Sequence, residues 1–383
     1  MSTVLTAVGQ TLTAVMGAGV LNLPYAMATL GWVAGPMLIL LFSWVTLFTS
    51  HMLVECHVIN GKRQRTYVDL VKGLFGRLGY LVIGWVQYIN LFLTALSYQI
   101  TASASLLTLV QSFCRESGAT SCPSKYYIWA IVFGCLQLLL IQIPDLSHFG
   151  LLSLVGAIMS FGYSFIAFGL SIAQGNTHGT VGGKSLSAEA KSFDVLNSAG
   201  SILFAYSFSM ILAVAFAGYL AFGNSVPSSI MMAFHHPVWL VNLAQFLIIF
   251  HMLPAYQMYL QPLMAFVEGR FKNWDRAPEW SKVIWGIPFR VGSRTLWVVV
   301  IAFLSILVPF FSDIVGLVGA IGFWPTTVFF PIECWIRLYR PSPTYRFWLR
   351  ALNVICALVT VAAAMGSIYN IIKDASKYEL FGS

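Results

Sequence analysis

Apolar residues run in long, nearly continuous stretches along the whole chain, and short polar or basic segments separate them. A helix needs about 20 apolar residues to cross a bilayer, and stretches of this kind predict ten spans. They lie at 4–25, 32–56, 79–110, 127–143, 149–173, 200–222, 238–267, 295–311, 313–336 and 349–371. Lipid offers no hydrogen-bond partners to a backbone, and long apolar runs favour helices over a barrel. The predicted fold class is an all-α polytopic membrane protein with a single transmembrane domain over 1–383.

Composition narrows the class of protein further. Hydrophobic residues make up 58% of the chain and charged residues 9%, against about 25% charged in soluble domains. The net charge of +8 would suggest nucleic acid as a partner of a soluble protein, but here Lys and Arg set membrane orientation. We therefore expect a lipid bilayer and no nucleic acid as a partner. No phosphate-binding loop, no nucleophile with a base and no His/Cys ligand cluster is visible, so no enzyme, metal site or cofactor is predicted.

The basic residues conflict with the count of spans at one place. Five of them follow the second span and put the N-terminus on the cytoplasmic side, because cytoplasmic loops are rich in Lys and Arg. If the segment at 201–222 crosses the membrane once, 7 basic residues lie inside and 14 outside. If it returns to its own side or lacks a partner helix, 15 lie inside and 6 outside. The charges thus predict an abnormal segment near residue 212.

Gly17, Gly19 and Pro24 interrupt the first predicted span. A glycine inside a helix costs about 1 kcal/mol relative to alanine, and a proline removes a backbone hydrogen bond. The segment therefore unwinds easily, and in many transporters unwound backbone at this depth binds a substrate carboxylate. Close packing of helices through small residues is the alternative interpretation.

Two further stretches carry polar side chains inside apolar runs. The first, "FAYSFS" at 204–209, is by itself better explained by a buried polar patch than by a binding site. The second is a stripe on the third span whose members recur every three or four residues and so share one helical face. Its members are Gln87, Asn90, Thr94, Tyr98 and Thr101. Because polar groups avoid lipid, the stripe is predicted to face the bundle interior and to line a pathway.

His251 is the one histidine deep inside an apolar run, shortly before Pro254. A side chain that titrates near neutral pH suits proton coupling, but a neutral histidine bonded to a neighbour fits the pattern as well. Asp145, Asp313 and Glu333 lie near the ends of predicted spans. Solvent or basic residues can reach such positions, which argues against a coupling role for these acids.

Cys114 and Cys122 lie in a polar loop, unlike the other four cysteines, which lie in or beside apolar runs. If that loop faces an oxidising compartment, a disulfide is favoured over two free thiols. The connection at 173–194 is rich in Gly and Ser and is expected to be a flexible loop on the same, exoplasmic side.

Several segments together resemble the amino acid/auxin permease family, near its plant amino acid permease and lysine-histidine transporter branches. These segments are "GAGVLNLPYAMATLGWVAGP", "IPDLSHFGLLSLVGAIMSFGYS", "FAYSFS", "GYLAFGNSVPSSIM", "HPVWLVNLAQFLIIFHMLPAYQMYLQPLMAFVE" and "VPFFSDIVGLVGAIGFWPTTVFFPIE". They occur in the family's order over almost the whole chain. The resemblance implies an eleven-helix bundle with a LeuT-like inverted repeat, in which helices 1 and 6 are broken and flank the substrate.

The resemblance also assigns roles to residues. Gly17, Ala18, Gly19 and Val20 would offer backbone groups to the carboxylate of an amino acid. Ala205, Tyr206, Ser207 and Ser209 would face its amine and side chain. His251 matches a histidine common in the family's eighth helix. The site expected from the sequence thus has two walls, one on each broken helix.

The chain departs from the family between Leu212 and Ala213. Family members continue from "FAYS" through the rest of helix 6, a cytoplasmic loop and all of helix 7, whereas this chain passes straight to "AVAFAGYLAFGN". We expect that the segment from the second half of helix 6 (helix 6b) to the early part of helix 7 is missing. A skipped exon or an incomplete gene model is preferred as the explanation over a functional ten-helix variant. The tail before the first predicted span is also shorter than is usual for the family.

These observations give two hypotheses about function. The first is a proton-coupled amino acid symporter that works by alternating access and uses the proton gradient as its driving force, without a cofactor. The second is a truncated, non-transporting isoform that binds amino acids or regulates a full-length partner. The plasma membrane is expected before a vacuolar or other endomembrane. The pattern leaves the choice of amino acids and the oligomeric state open.

Overall fold

In the computed structural model, the backbone is described for residues 9, 12–13, 17, 19–59, 61–64, 66–119, 121–143, 150–175, 188–204, 209–270 and 279–378. These residues include eleven α-helices and one hairpin. The helices are α1 (Gly19–Cys56), α2 (Tyr67–Glu116), α3 (Tyr126–Leu140), α4 (Gly150–Gln174), α5 (Ala188–Phe204), α6 (Ser209–Phe222), α7 (Val238–Arg270), α8 (Glu279–Leu307), α9 (Phe311–Gly322), α10 (Phe330–Tyr339) and α11 (Pro343–Ala375). Strands β1 (Val58–Ile59) and β2 (Lys62–Arg63) pair antiparallel between α1 and α2.

Local sequence explains where several helices begin and break. Thr66 accepts a hydrogen bond from the backbone N–H of Asp69 at 3.1 Å and so caps α2. Gly31 has φ 82° and divides α1 into a short helix and a long span, because glycine adopts positive φ without a steric penalty. A π-helix at Phe323–Phe329 joins α9 to α10, so that 311–339 is one continuous span.

Seven of the described helices are long and apolar enough to span a membrane, and two shorter apolar helices accompany them. Large apolar side chains point outward along these helices, for example Val33 and Leu47 on α1 and Leu358 on α11, which are 67 to 72% exposed. Such a surface suits lipid and not water. The prediction of an all-α, multi-pass membrane protein is confirmed.

The bundle has two ends, which we call the disulfide face and the basic face. The disulfide face holds Cys114 and Cys122, and there Phe310 packs edge-on against Tyr378. The basic face holds the β1–β2 hairpin and the ends of α1 and α10, where Trp335 Nε1 donates to Glu55 Oε2 at 2.7 Å. The second half of α1 therefore runs from Gly31 at the disulfide face to Cys56 at the basic face.

The segment predicted as one span at 200–222 is instead divided between two short helices, α5 and α6. The first turns of α5 lie at the disulfide face, where the ring of Phe193 stacks on Tyr369 of α11 with 3.9 Å between centroids. The last turns of α6 lie at the same face, where Tyr219 contacts Trp32 with 5.1 Å between ring centroids. Helix α6 has 14 residues, about 21 Å in length, which is less than the roughly 30 Å of a bilayer core. The two helices thus enter and leave by one face.

This arrangement removes the conflict in the basic residues. Because α5 and α6 return to the disulfide face, the connections after α7 and α10 lie at the basic face. There Arg294 pairs with Glu268 at 2.7 Å and Arg350 with Glu333 at 3.3 Å. The start of α5 at Ala188 also shows that part of the expected flexible loop is helical.

Candidate functional site

The predicted break in the first span lies inside the bundle, against two tyrosines. Gly17 is in a bend immediately before α1, and Gly17, Gly19 and Val20 are all buried. Tyr163 of α4 donates a hydrogen bond from its hydroxyl to the carbonyl oxygen of Gly17 at 3.3 Å. A Cβ atom added to Gly17 would overlap the hydroxyl of Tyr98 of α2. Only glycine fits at this position.

The start of α1 gives this position a chemical use. The N–H groups in the first turn of a helix lack partners within the helix, and the helix dipole places partial positive charge there. A buried helix start of this kind can bind an anionic group such as a carboxylate. Gly19 begins α1, while Ala18 lies outside the described residues.

Two of the residues predicted to serve the site are brought to the break by different helices. Tyr98 belongs to the polar stripe on α2, is fully buried and packs edge-on against Tyr259 of α7. His251 of α7 is fully buried as well, and its ring packs edge-on against Tyr163 with 5.6 Å between centroids. Tyr163 thus contacts both Gly17 and His251. The sequence analysis missed Tyr163, although "SFGYS" at 160–164 is a polar interruption in an apolar run.

The hydrogen bonding of His251 fixes its proton arrangement. Its Nδ1 lies 2.8 Å from the carbonyl oxygen of Gly156 on α4. Because a carbonyl only accepts, Nδ1 carries the proton and Nε2 is left as an acceptor in the neutral ring. Nε2 is buried and has no partner among the described residues. His251 is therefore held in place by one nitrogen, and the other is an acceptor without a partner in the described part of the chain.

The polar stripe on α2 faces inward along its whole length, but its members do different things. Near the basic face, Asn90 donates from Nδ2 to the carbonyl of Val318 at 3.0 Å, and Thr94 donates to the carbonyl of Asn90 at 2.8 Å. These two side chains bind helix backbone. Gln87 is half-buried. Tyr98 lies against the break, next to Gly17.

The stripe continues from Tyr98 to the disulfide face, where it lines a cavity of about 200 Å³ between α2, α7 and α9. Several polar side chains line this cavity: Thr101, Ser105, Thr108, Tyr126, Ser228, Ser229 and Gln245. Cys114 and Cys122 form a disulfide beyond it, with 2.04 Å between the sulfur atoms. The stripe therefore continues from Tyr98, beside Gly17, to the lining of this cavity.

The second predicted wall is only partly described. Ala205, Tyr206 and Ser207 lie outside the described residues, and Ser209 is the first residue of α6. Helix α5 is fixed to α1 just before this wall, because Asn22 donates from Nδ2 to the hydroxyl oxygen of Ser201 at 2.9 Å. The sequence analysis missed this contact between residues 179 positions apart, although a polar Asn22 inside an apolar run was a visible signal.

Comparison with known proteins adds family and fold. The family described as transmembrane amino acid transporter protein matches residues 1–213 and 210–373. Amino acid permease 2 and amino acid permease 3 of Arabidopsis thaliana are 34% and 35% identical to the chain, covering 100% and 99% of it and 90% and 92% of their own lengths. Lysine histidine transporter-like 6 of the same plant is 29% identical and covers 97% of the chain and 91% of its own length.

A solved structure shows the same fold at low sequence identity. The crystal structure of MhsT in complex with L-phenylalanine superposes with a TM-score of 0.56 and 13% identity, covering 96% of this chain and 99% of that one. The predicted LeuT-like fold is confirmed.

The matches are interrupted in the same region where α5 and α6 are short. The family matches in two pieces that meet at 210–213. The alignment with amino acid permease 2 is 443 positions long, whereas the chain has 383 residues. At least 60 of those positions therefore have no residue in this chain.

Proposed function

The chain belongs to the transmembrane amino acid transporter family, and we propose that it is a proton-coupled amino acid symporter that works by alternating access. The observation that carries the proposal is the buried start of α1 at Gly17 and Gly19, beside the hydroxyls of Tyr98 and Tyr163. Backbone N–H groups there suit the carboxylate of an amino acid. The relatives are named amino acid permeases, which supports the same class of substrate.

The proposed substrate position lies between the start of α1 and the end of α5. Gly17, Ala18, Gly19 and Val20 would bind the carboxylate, and Ala205, Tyr206, Ser207 and Ser209 would face the amine and side chain. The cavity at the disulfide face and the stripe on α2 supply an approach from outside. His251, with Nε2 unpartnered among the described residues, is the proposed coupling histidine.

Uptake into proteoliposomes tests this proposal. Labelled amino acids should enter vesicles under an imposed pH gradient, saturate with concentration and stop entering when an uncoupler is added. Gly19→Leu should remove uptake because a leucine side chain at the buried start of α1 occupies the carboxylate position. Uptake equal to that of empty vesicles, from protein shown to be folded by size-exclusion chromatography, would reject transport by this chain.

A specific observation also favours the second candidate, a binding protein without flux. Helices α5 and α6 are 17 and 14 residues long, and the family matches on either side of 210–213. The missing positions correspond to the part of the transporter that would close the site from the basic face. A chain without that part can bind an amino acid from the disulfide face and still fail to release it across the membrane.

Restoring the missing positions separates the two candidates. The corresponding segment of amino acid permease 2 would be inserted between Leu212 and Ala213, and both proteins compared for amino acid binding and for uptake. Binding in both with uptake only in the restored protein would identify this chain as a binder. Equal uptake in both would identify it as a transporter.

A further inference from the structure

A buried carboxylate lies where three helices meet in the half of the bundle nearest the disulfide face. Asp313 of α9 is 6% exposed, although its place near the end of a predicted span suggested contact with solvent or a basic residue. Asn197 of α5 donates from Nδ2 to Asp313 Oδ1 at 2.7 Å. Ser367 of α11 donates to Asn197 Oδ1 at 2.8 Å. Asp313 is therefore tied by hydrogen bonds to two other helices.

The same network reaches α1. Ser201, one turn after Asn197 on α5, donates to the carbonyl of Asn197 at 3.3 Å, and its hydroxyl oxygen accepts from Asn22 at 2.9 Å. Asn22 is in the first turn of α1, three residues after Gly19, and is fully buried. A continuous chain of bonds thus connects Asp313 to the helix whose start forms the proposed substrate position.

The charged neighbours of Asp313 are all acidic. Asp194 of α5 accepts from Asn370 of α11 at 2.7 Å, and the same amide lies within hydrogen-bonding reach of Asp313. Asp374 of α11 adds a third carboxylate within electrostatic reach, and Tyr25 is the titratable group of α1 on this side. Helix α2, which also packs on α9, has no charged residue between Arg77 and Arg115. No Lys, Arg or His forms an ion pair with any of the three carboxylates in the described part of the chain.

One acceptor in this cluster lacks a donor. Asn370 is 5% exposed, and its Oδ1 has no hydrogen-bond partner among the described residues although its nitrogen bonds Asp194. A buried acceptor without a donor is unfavourable because it loses its hydrogen bonds to water and gains none in the protein. A protonated carboxyl beside it would supply an O–H donor. A proton on one of the carboxylates would therefore complete the hydrogen bonding of this cluster.

The three helices that carry Asp313, Asn197 and Ser367 pack closely together. A Cβ atom added to Gly316, one turn along α9, would overlap Asn197 Oδ1 and lie 2.8 Å from Ser367 Oγ. A Cβ atom on Gly366 of α11 would lie 2.6 Å from Leu196 Cβ of α5. The three helices thus approach one another as closely as glycine allows. A proton neutralises a buried carboxylate without taking up volume, and an unneutralised charge in this position is strongly unfavourable.

We propose that Asp313 is a proton-binding site open to the disulfide face, and that Asn197 and Ser201 transmit its charge state to Asn22 and the start of α1. The proton adds to a carboxylate oxygen of Asp313 from the outer solution and returns to solution when the carboxylate ionises again, without any change in covalent bonds elsewhere. The inference rests on the proposed function only where it links this proton to amino acid binding. Asp313 is a positioning residue for α1, since it does not touch the substrate.

Carboxyl infrared spectroscopy tests the proton site without relying on transport. A difference spectrum of reconstituted protein between about pH 8 and about pH 5.5 should show the carbonyl band of a protonated carboxylic acid, since exposed carboxyls with pKa values near 4 stay ionised. The band should be lost in Asp313→Asn and kept in Glu116→Gln, a matched change at an exposed acid on the same face. An equal band in all three proteins would overturn the proposal even if the chain transports amino acids.

Amino acid binding tests the link to α1. The affinity of the unaltered chain should be about tenfold higher at about pH 5.5 than at about pH 8, a typical coupling between two sites. Asp313→Asn imitates the protonated form and should bind with similar affinity at both values, whereas Glu116→Gln should behave as the unaltered chain. A pH dependence that persists in Asp313→Asn and disappears in His251→Gln would assign the coupling to the histidine and overturn the proposed link.

A second variant covers the case in which Asp313→Asn does not fold. Asp194→Asn keeps the proton site and removes a neighbouring charge, so the pH at which the infrared band appears should shift by about one unit. A band at the same pH as in the unaltered chain would show that the titrating group is not in this cluster, and the proposal would fail.

Discussion

An alanine at position 17 should clash with one atom, the hydroxyl oxygen of Tyr98. The added Cβ would overlap that oxygen, and its next neighbours would be Tyr98 Cζ at 3.0 Å and Cε1 at 3.1 Å. Tyr98→Phe removes the oxygen and leaves contacts that need shifts of only a few tenths of an ångström. We therefore expect Tyr98→Phe to rescue Gly17→Ala.

The size of the effect follows from the surroundings of the clash. Tyr98 is fully buried and packs against Tyr259, so its ring has little freedom to move away. Overpacking a buried position of this kind costs about 1 to 3 kcal/mol. If about 2 kcal/mol of strain falls on the start of α1, amino acid binding should weaken roughly 30-fold in Gly17→Ala. Most of this loss should vanish in the double variant.

A double-mutant cycle measures this coupling. Thermal unfolding in detergent and amino acid binding would be compared for both single variants and the double variant, with an expected coupling of about 1 to 2 kcal/mol. Gly169→Ala on α4 is the control, because an added Cβ there meets no atom within 4 Å. Additive effects of the two single changes would show that Gly17 does not lie against Tyr98 and would refute the proposed geometry.

Three shorter predictions concern the two ends of the bundle. Reduction of the Cys114–Cys122 disulfide, which closes a separation of 8 residues, should destabilise the protein by about 2.5 kcal/mol, and impermeant maleimide should then label it only from the exoplasmic side. Arg294→Ala should destabilise the protein by about 3 to 5 kcal/mol because the buried guanidinium binds Glu268 and the carbonyl of Ile141. Arg290 is the control, since its side chain is 44% exposed and lies 4.0 Å from Glu268. Arg290→Ala should change the free energy of unfolding, measured by thermal unfolding, by less than about 1 kcal/mol. A single cysteine at Ser225 should be labelled from the same side as the disulfide loop; labelling from the basic face would contradict the return of α6.

Sequence patterns predicted the parts of the site that depend on one segment at a time. The glycines and Pro24 marked the break before α1, and the spacing of polar residues on α2 placed Tyr98 on an inward face. The polar stripe could not show that Asn90 would bind the backbone at Val318, because that contact depends on how α9 packs. Periodicity describes the face of a helix but not the partner opposite it.

The two errors near α5 and α9 have physical causes. Hydropathy merged the last turn of α5 with α6 into one span because Ile202, Leu203 and Phe204 are apolar, α6 is apolar, and only four residues separate the two helices. The distribution of basic residues indicated the correct orientation. Asp313 was expected within reach of solvent or basic residues because it lies at the start of the predicted span 313–336, but α5 and α11 pack beside this end of α9 and bury it. Long-range contacts such as Asn22 to Ser201 cannot be read from the order of residues.

The half of the bundle nearest the disulfide face (the outer half) and the half nearest the basic face (the inner half) differ in what they retain, and this difference separates binding from transport. The outer half keeps the cavity, the hydrogen-bond network from Asp313 to Asn22 and the start of α1, and all of these lie on helices that match the family in sequence order. Helices α5 and α6 both turn back before the basic face and the family match divides at 210–213, so we expect the alignment positions that this chain lacks to belong to the inner half. Alternating access requires that the inner half open and close around the same substrate. Proton binding at Asp313 and amino acid binding at α1 should therefore survive in this chain whether or not flux does, which makes binding as a function of pH the measurement to make before uptake.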